Sequence, residues 1–352
     1  MEPADGRLVY RVDPFQGQRW QRFLSGHPNA SIFHSPEWLQ ALRRTYGYEP
    51  FVLTTSAPGR ELTDGVVFCR IDSRLTGRRL VSLPFSDHCQ PLVGGPEALE
   101  RLLSPLERDL KKEHCRYIEI RSRGDHLQGV PRFGKAKWFW FHQIDLRPAL
   151  DELMSSFHKD CVLRKIRRAE REGLTYEQGR SESLLKQFYH LLLLTRRRHG
   201  LPPHPRDWFL NLIECLRERV EIRVARKDGQ PVASILTLRY KEVLVYKYGC
   251  SDARFNHLGG MHLLLWRAVQ EAKRDGISEF DLGRSDWDNP GLAAFKDRWG
   301  GVRSVLTYWR YPTPVDGNLR PRWTVRLAKD TLAHMPDGLL SVAGKLLYKH
   351  VG

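Results

Sequence analysis

One stretch limits what this chain can become more than any other: residues 255–301, FNHLGGMHLLLWRAVQEAKRDGISEFDLGRSDWDNPGLAAFKDRWGG. It reads as loop, helix, strand, loop and second helix. The pair Gly259-Gly260 opens the first helix, in which Met261, Leu264, Leu265, Ala268, Val269 and Ala272 recur at helical spacing. Lys273 and Arg274, followed by Gly276, mark its C-terminus. A strand is predicted from Ser278 to Leu282, after which Gly283-Arg284-Ser285-Asp286 turns the chain outward. Asn289-Pro290 is a helix-entry signal, and the helix it starts carries Leu292, Phe295 and Trp299 on one face. Lys296 sits at the edge of that apolar stripe. A cation held against apolar surface is a candidate for chemistry, with a snorkelling lysine as the plain alternative.

The rest of the chain frames this block. With 352 residues, of which 41% are hydrophobic and ten are tryptophan, the sequence supports a large core and two domains. No run approaches the ~18 apolar residues that span a bilayer, and MEPADGRLVYRVD lacks a signal-peptide core, so a cytoplasmic protein is expected. Six cysteines, at 69, 89, 115, 161, 215 and 250, lack CxxC spacing and read as reduced thiols. A formal charge of +16 and a pI near 9.7 call for an anionic partner. Nucleic acid, the anionic inner face of a membrane and a nucleotide- or diphosphate-linked substrate all qualify.

Taken in order, Leu8 to Val12 reads as a strand and Gln16 to Leu24 as a short helix. Ser35-Pro36 then caps a helix carrying Trp38, Ala41 and Leu42. Strands follow at 51–55, 65–71 and 79–83, then a proline-bracketed loop with Asp87 and His88, a helix from Pro96 to His114, and strands at 117–121 and 137–146. Pro148 marks the expected domain boundary, giving domains 1–150 and 151–314. Beyond it come a basic amphipathic helix, Leu163 to Arg171, helices at 182–198 and 206–218 joined by a proline-rich link, and strands at 220–225, 233–239 and 243–248. A final strand is expected at 304–310. Strand and helix patterns thus occur twice at matching positions, which suggests a duplicated fold without a readable repeat. Residues 315–352 form a basic tail, with Arg320, Arg322, Trp323, Val325 and Arg326 ahead of a helix lined by Leu339, Leu340, Ala343, Leu346 and Leu347. It is expected to pack on the N-terminal domain, with docking on an anionic membrane as the alternative.

The pieces GGMHLLLWRAVQEAKRDG, FDLGRSD and NPGLAAFKDRWGG resemble the second acyltransferase domain of the Fem (FemABX) proteins and their CelD-like relatives in envelope and exopolysaccharide clusters. RKIRRAEREG and FHSPEW extend the likeness over most of residues 30–312. The resemblance implies two tandem GNAT-like domains of layered α/β (α+β) class with a helical tail. It also implies acyl or aminoacyl transfer onto an amine of a cell-envelope precursor, in the cleft between domains. Phe295-Lys296 matches the family's phenylalanine-lysine pair, which assigns oxyanion stabilisation to Lys296.

The remaining candidates follow from the resemblance and from the residues. GNAT enzymes hold coenzyme A with Arg or Gln, two residues, Gly, one residue, then Gly or Ala. Asn256, Gly259 and Met261 stand at those places, so only the first glycine fits, and Gly260 completes the turn. That departure agrees with an aminoacyl-tRNA donor, while the CelD-like likeness supports acyl-CoA; either is a co-substrate and no tightly bound cofactor is expected. A tight turn alone is the plain reading of the glycines. The segment in which Fem proteins grip a sugar diphosphate carries Arg198, Arg206 and Trp208 here, with altered spacing because Pro202, Pro203 and Pro205 intervene. Arg43, beside Arg44 on the FHSPEW helix, is a contributor from the other domain. Arg284 and Asp286 follow a strand end, where α/β folds place functional groups, or pair with each other. Asp87 and His88 offer a pH-sensitive base or an ordinary turn. Tyr248 alternates with Lys247 on a strand, one face of which is core. An anionic nucleotide- or lipid-linked sugar is the expected acceptor and tRNA a further partner. The rival class is a non-catalytic module that binds RNA or membrane through its basic segments. HExxH, GxSxG and Walker A patterns are absent, and the fourteen histidines lack ligand spacing, so no metal is expected.

Overall fold

The computed structural model describes residues 8–313, apart from 113, 125, 126, 129 and 131, together with residues 335–351. The chain divides into two compact units. Unit 1 comprises Met1–Phe139, Val305–Asp316 and Tyr348–Gly352; unit 2 comprises Trp140–Ser304 and Gly317–Leu347. The division falls inside a strand, ahead of the boundary expected at Pro148.

In unit 1, β1 (Tyr10–Val12), α1 (Arg19–Gly26), α2 (Pro36–Tyr46), β2 (Glu49–Thr54), β3 (Val66–Ile71), β4 (Arg78–Ser82), α3 (Pro96–Lys112) and β5 (Cys115–Arg123) follow one another. Ser35 caps α2 as expected, its hydroxyl accepting from the Trp38 amide. Strands β1 to β4 pair antiparallel in sequence, and β4 pairs parallel with β5. A parallel pair needs a crossover, and α3 supplies it. The core lies between α3, through Leu99, Leu102 and Leu106, and the sheet, through Phe68, Ile118 and Ile120.

The chain enters unit 2 along β6 (Gly134–Asp145) and continues through α4 (Leu150–Ser156), a π turn at 159–163, α5 (Arg164–Arg171), β7 (Thr175–Gly179), α6 (Glu182–Arg198), α7 (Arg206–Leu216), β8 (Val220–Lys227), β9 (Gln230–Tyr240), β10 (Val243–Ser251), α8 (Gly260–Arg274), β11 (Glu279–Asp286) and α9 (Pro290–Asp297). The pairing repeats that of unit 1: β7 to β10 are antiparallel in sequence, and β10 pairs parallel with β11 through the crossover α8. Last, β12 (Val302–Tyr311) pairs antiparallel with β5, Leu306 opposite Arg123. Each unit therefore runs strand, two helices, three strands, helix, strand, and the fold is mixed α/β with two GNAT-like halves. The duplication suggested by the element order is visible as topology.

Sequence periodicity missed α4 and β7, which are short. It also ended β11 too early: the strand continues through Gly283, Arg284, Ser285 and Asp286, which do not form an outward turn. On α9 the buried positions are Ala293 and Lys296, whereas Leu292, expected on the packing face, is exposed.

The tail helix α10 (Asp337–Val351) is present, while Arg320, Arg322, Trp323, Val325 and Arg326 lie outside the described residues. Its packing face is Leu340 and Gly344; Leu339, Leu346 and Leu347, read as part of that face, are exposed. Within unit 2 the helix lies on α6 and α7, with Ser341 Oγ 3.0 Å from the Tyr189 hydroxyl. Contact with N-terminal residues is made by the last turn, where Tyr48 donates to the carbonyls of Tyr348 and Lys349. Among the described residues no helix is long and apolar enough to cross a membrane, and no cluster of three or more potential metal ligands forms.

Candidate active site

The local sequence explains how Lys296 is held. The Asp281 side chain, buried in the sheet, accepts from the Gly283 amide at 2.6 Å, and Gly283 takes φ +71°, a conformation that costs glycine little. In a regular strand successive carbonyls point to opposite sides. Here the carbonyls of Gly283 and Arg284 both accept from Lys296 Nζ, at 3.0 and 2.8 Å, so the strand is kinked at Gly283. Asn289 caps α9 through the Leu292 amide and fixes the helix from which the lysine reaches back. Lys296 is only 3% exposed. Burying an ammonium is costly unless hydrogen bonds compensate, and the two carbonyls do so while fixing the position of the charge.

A second group stands beside it. His142 on β6 is fully buried, with Nε2 3.1 Å from Asp297 Oδ1, and Asp297 is in turn bound by Arg303. Burial, and then the nearby Lys296 charge, hold the imidazole below its ordinary pKa, so it is neutral and donates from Nε2 to the carboxylate. Its other nitrogen, Nδ1, is buried without a hydrogen-bond partner among the described residues. Arg303 also lies 4.7 Å over the Trp140 ring, which stacks on Trp287 at 4.7 Å. Asp297 belongs to the same AFKDRW run as Lys296, but its partner His142 lies 155 positions away, and no sequence spacing signals that pairing.

The glycine turn has a clear structural role. Gly259 takes φ +85°, and a Cβ there would sit 2.4 Å from the Lys165 carbonyl oxygen of α5. A Cβ on Gly260 would meet Ala233 of β9 at 3.2 Å. The pair lets α8 pack close to both α5 and the sheet. The same contact sets the basic helix α5 beside the N-terminus of α8. Burial, then the Lys165 charge, lower the pKa of His262 in the first turn of α8 to about 4. Asn256 is exposed on the 3-10 turn that precedes the glycines. Parallel pairing of β10 with β11 ends at Val245 and Asp281, just before β10 bulges between Tyr246 and Tyr248.

The other expected residues scatter. Arg198 is exposed at the end of α6, and Arg206 pairs with Glu182. Trp208 is fully buried, its indole N–H donating to the Tyr248 hydroxyl at 2.9 Å within a knot that includes His204 and Phe209. Trp208 and Tyr248, expected at a ligand, are thus both buried and bonded to each other. Arg284 contributes its backbone carbonyl to Lys296, and the Asp286 side chain is exposed at the end of β11. Arg43, Asp87 and His88 belong to unit 1. There Arg43 covers the Phe15 ring, the Asp87 carbonyl accepts from Tyr308, and His88 is buried edge-on to Phe33. A cavity of about 430 Å³ between α5, β7 and α8, lined by Glu170, Tyr176, Arg267 and Arg274 among others, does not include Lys296.

The fold has counterparts among known proteins. Residues 156–297 match the family model described as an acetyltransferase (GNAT) domain. No curated protein sequence matches the chain. Among solved structures, FemX shares 16% identity and superposes with a TM-score of 0.68, covering 92% of this chain and all of its own. The C-terminal domain of a putative lysylphosphatidylglycerol synthetase from Agrobacterium fabrum gives a TM-score of 0.55 at 16% identity, over 90% of this chain and 95% of that one. A tandem GNAT protein from the clavulanic acid biosynthesis pathway gives 0.54 at 12% identity, over 88% and 99%. At these identities the structures establish fold alone. Residues 156–297 thus match a GNAT domain, within a tandem GNAT fold similar to that of FemX.

Proposed function

We propose that this acyltransferase moves an acyl or aminoacyl group from an activated carbonyl, a thioester or a tRNA ester, onto an amine of an anionic cell-envelope precursor. The carrying observation is Lys296, a buried cation whose place is fixed by two carbonyls of a kinked strand in the GNAT domain. The amine attacks the donor carbonyl, a tetrahedral oxyanion forms, and its collapse breaks the ester or thioester. The amine's proton leaves with the departing hydroxyl or thiol. A pre-placed ammonium in a dry site stabilises the oxyanion without reorganisation, an effect of about 3 kcal/mol. The neutral His142, beside this charge and tied to Asp297, helps hold the α9 region in register.

The closeness of α5 to the N-terminus of α8 supports a phosphate-bearing donor. Helix-terminal N–H groups and the α5 cations favour phosphate there, whether it belongs to coenzyme A or to the acceptor end of a tRNA. Exposed Arg198 suits a phosphate-linked acceptor. The test supplies radiolabelled acetyl-CoA or aminoacyl-tRNA with nucleotide- and lipid-linked muropeptides or aminosugars. Turnover with one donor, reduced about 100-fold in Lys296→Met, is expected. Wild-type turnover in that variant would remove Lys296 from the mechanism.

A further inference from the structure

Helix α10 is amphipathic in a way its packing does not use up. Leu340 is completely buried, and a Cβ on Gly344 would lie 2.0 Å from the Pro203 carbonyl oxygen, so that face seats tightly on the segment between α6 and α7. The Tyr189–Ser341 hydrogen bond and the Arg197–Asp337 ion pair fix the seating. The opposite face is apolar and open: Leu339 is 60% exposed, Val342 55% and Leu346 64%. At this spacing the three form one stripe about 10 Å long. A helix pinned on one side cannot roll to hide that stripe.

The charges around the stripe say what covers it. Asp337 is the only acid of DGLLSVAGKLLYKHV, and Arg197 pairs with it. Lys345, 3.3 Å from Asp207 of α7 with its side chain still largely in solvent, and Lys349 lie one turn apart on the same helix, in a chain of formal charge +16. An apolar stripe with a basic border suits the interface of an anionic bilayer, where leucines enter the acyl boundary and lysines stay at the headgroups. We propose that α10 is a membrane-surface contact, with Leu339, Val342 and Leu346 inserting and Lys345 and Lys349 facing anionic headgroups. This contact is independent of the acyl-transfer reading.

The experiment uses the full chain, sedimented with vesicles of phosphatidylcholine alone and of phosphatidylcholine containing phosphatidylglycerol. Binding to the anionic vesicles is expected to weaken about tenfold or more in Leu339→Ser/Val342→Ser/Leu346→Ser, from the apolar area lost. It should weaken, and lose much of its salt dependence, in Lys345→Gln/Lys349→Gln. Melting temperature should stay at the parent value in the serine variant, because the replaced side chains are already in solvent. Equal vesicle binding by parent and serine variant, or none by the parent, overturns the proposal. A parent dimer that the serine variant dissociates would assign the stripe to a second copy. A clear loss of melting temperature would assign it to cover by another part of the same chain. Either result also overturns the membrane contact.

Discussion

Lys296 illustrates what a residue in a sequence can and cannot disclose. Its pairing with Phe295 marked it, and the structure buries it on α9, but the feature that gives it a fixed position lies upstream in Asp281-Leu282-Gly283. Removing the ammonium in Lys296→Met leaves two carbonyls short of a donor, so a stability loss of about 1–3 kcal/mol should accompany the loss of turnover. Circular dichroism melts beside turnover at low temperature separate the two effects. His142 was not legible, because no local pattern announces a partner from a distant strand. The burial of Trp208 was not legible either: a tryptophan in a basic segment looks the same in sequence whether it faces a ligand or a core. Two other buried histidines make a pH prediction. Burial lowers the pKa of both His34 and His262 from 6.5 to about 4. The folded protein then binds fewer protons than the unfolded chain, so this stability is complete above about 6.5 and is lost as pH falls toward about 4. Melting temperature should fall through that window, and more gently in His262→Gln. Parallel curves for parent and variant would show that His262 contributes nothing to the acid sensitivity.

At the scale of elements, helices with a clear cap and a clear period were readable: Ser35 and Asn289 cap α2 and α9, and α6 runs from Glu182 to Arg198 as its pattern implies. The glycine turn was readable as a turn, but its purpose was not, since the neighbour that demands glycine is a carbonyl of α5. Gly259→Ala should therefore cost at least about 1–3 kcal/mol, from the left-handed conformation and the approach to Lys165, with or without any donor. A variant that melts with the parent yet fails to bind donor would instead make the turn a dedicated phosphate cradle. The charge on α5 behaves differently. Ile166 and Ala169 are buried, whereas Arg164, Arg167 and Arg171 are exposed, with a loose Arg164–Asp160 pair worth little to folding. Replacing Arg164, Arg167, Arg168 and Arg171 with glutamine should leave the melt nearly unchanged. If tRNA is the donor, its binding should weaken and the slope of log affinity against log salt flatten by up to about 3. Filter binding across a salt series reads this directly, and an unchanged slope would assign α5 to solvation.

Across the whole molecule, the same order of elements and the same run of antiparallel and parallel pairings occur twice, and each unit buries charge near the strand that follows its crossover helix. In unit 1, Glu119 lies between two guanidinium groups, 2.9 Å from Arg121 and 2.7 Å from Arg310. Burial pushes its pKa up, but Arg121 and Arg310 outweigh that and hold the carboxyl below its ordinary range. In unit 2 the corresponding region past the crossover helix holds Lys296 on backbone carbonyls. A self-neutralised cluster, which unit 2 also has in Arg223 with Glu221 and Glu271, suits a structural site, whereas a cation held on backbone carbonyls keeps its charge available to a developing anion. This contrast was beyond the sequence, because an ion cluster assembled from β5 and β12 joins residues 191 positions apart. The Glu119 and Lys296 sites should therefore respond oppositely to neutralisation. Glu119→Gln leaves the half-buried Arg121 and Arg310 without their carboxylate and should cost about 3 kcal/mol of stability. Turnover measured well below the melting transition should stay near the parent value. Lys296→Met should show the reverse balance, with a smaller loss of stability and about 100-fold slower transfer. If Glu119→Gln abolished turnover while still folded, the Glu119 cluster would have to act in catalysis, and its purely structural reading would be wrong.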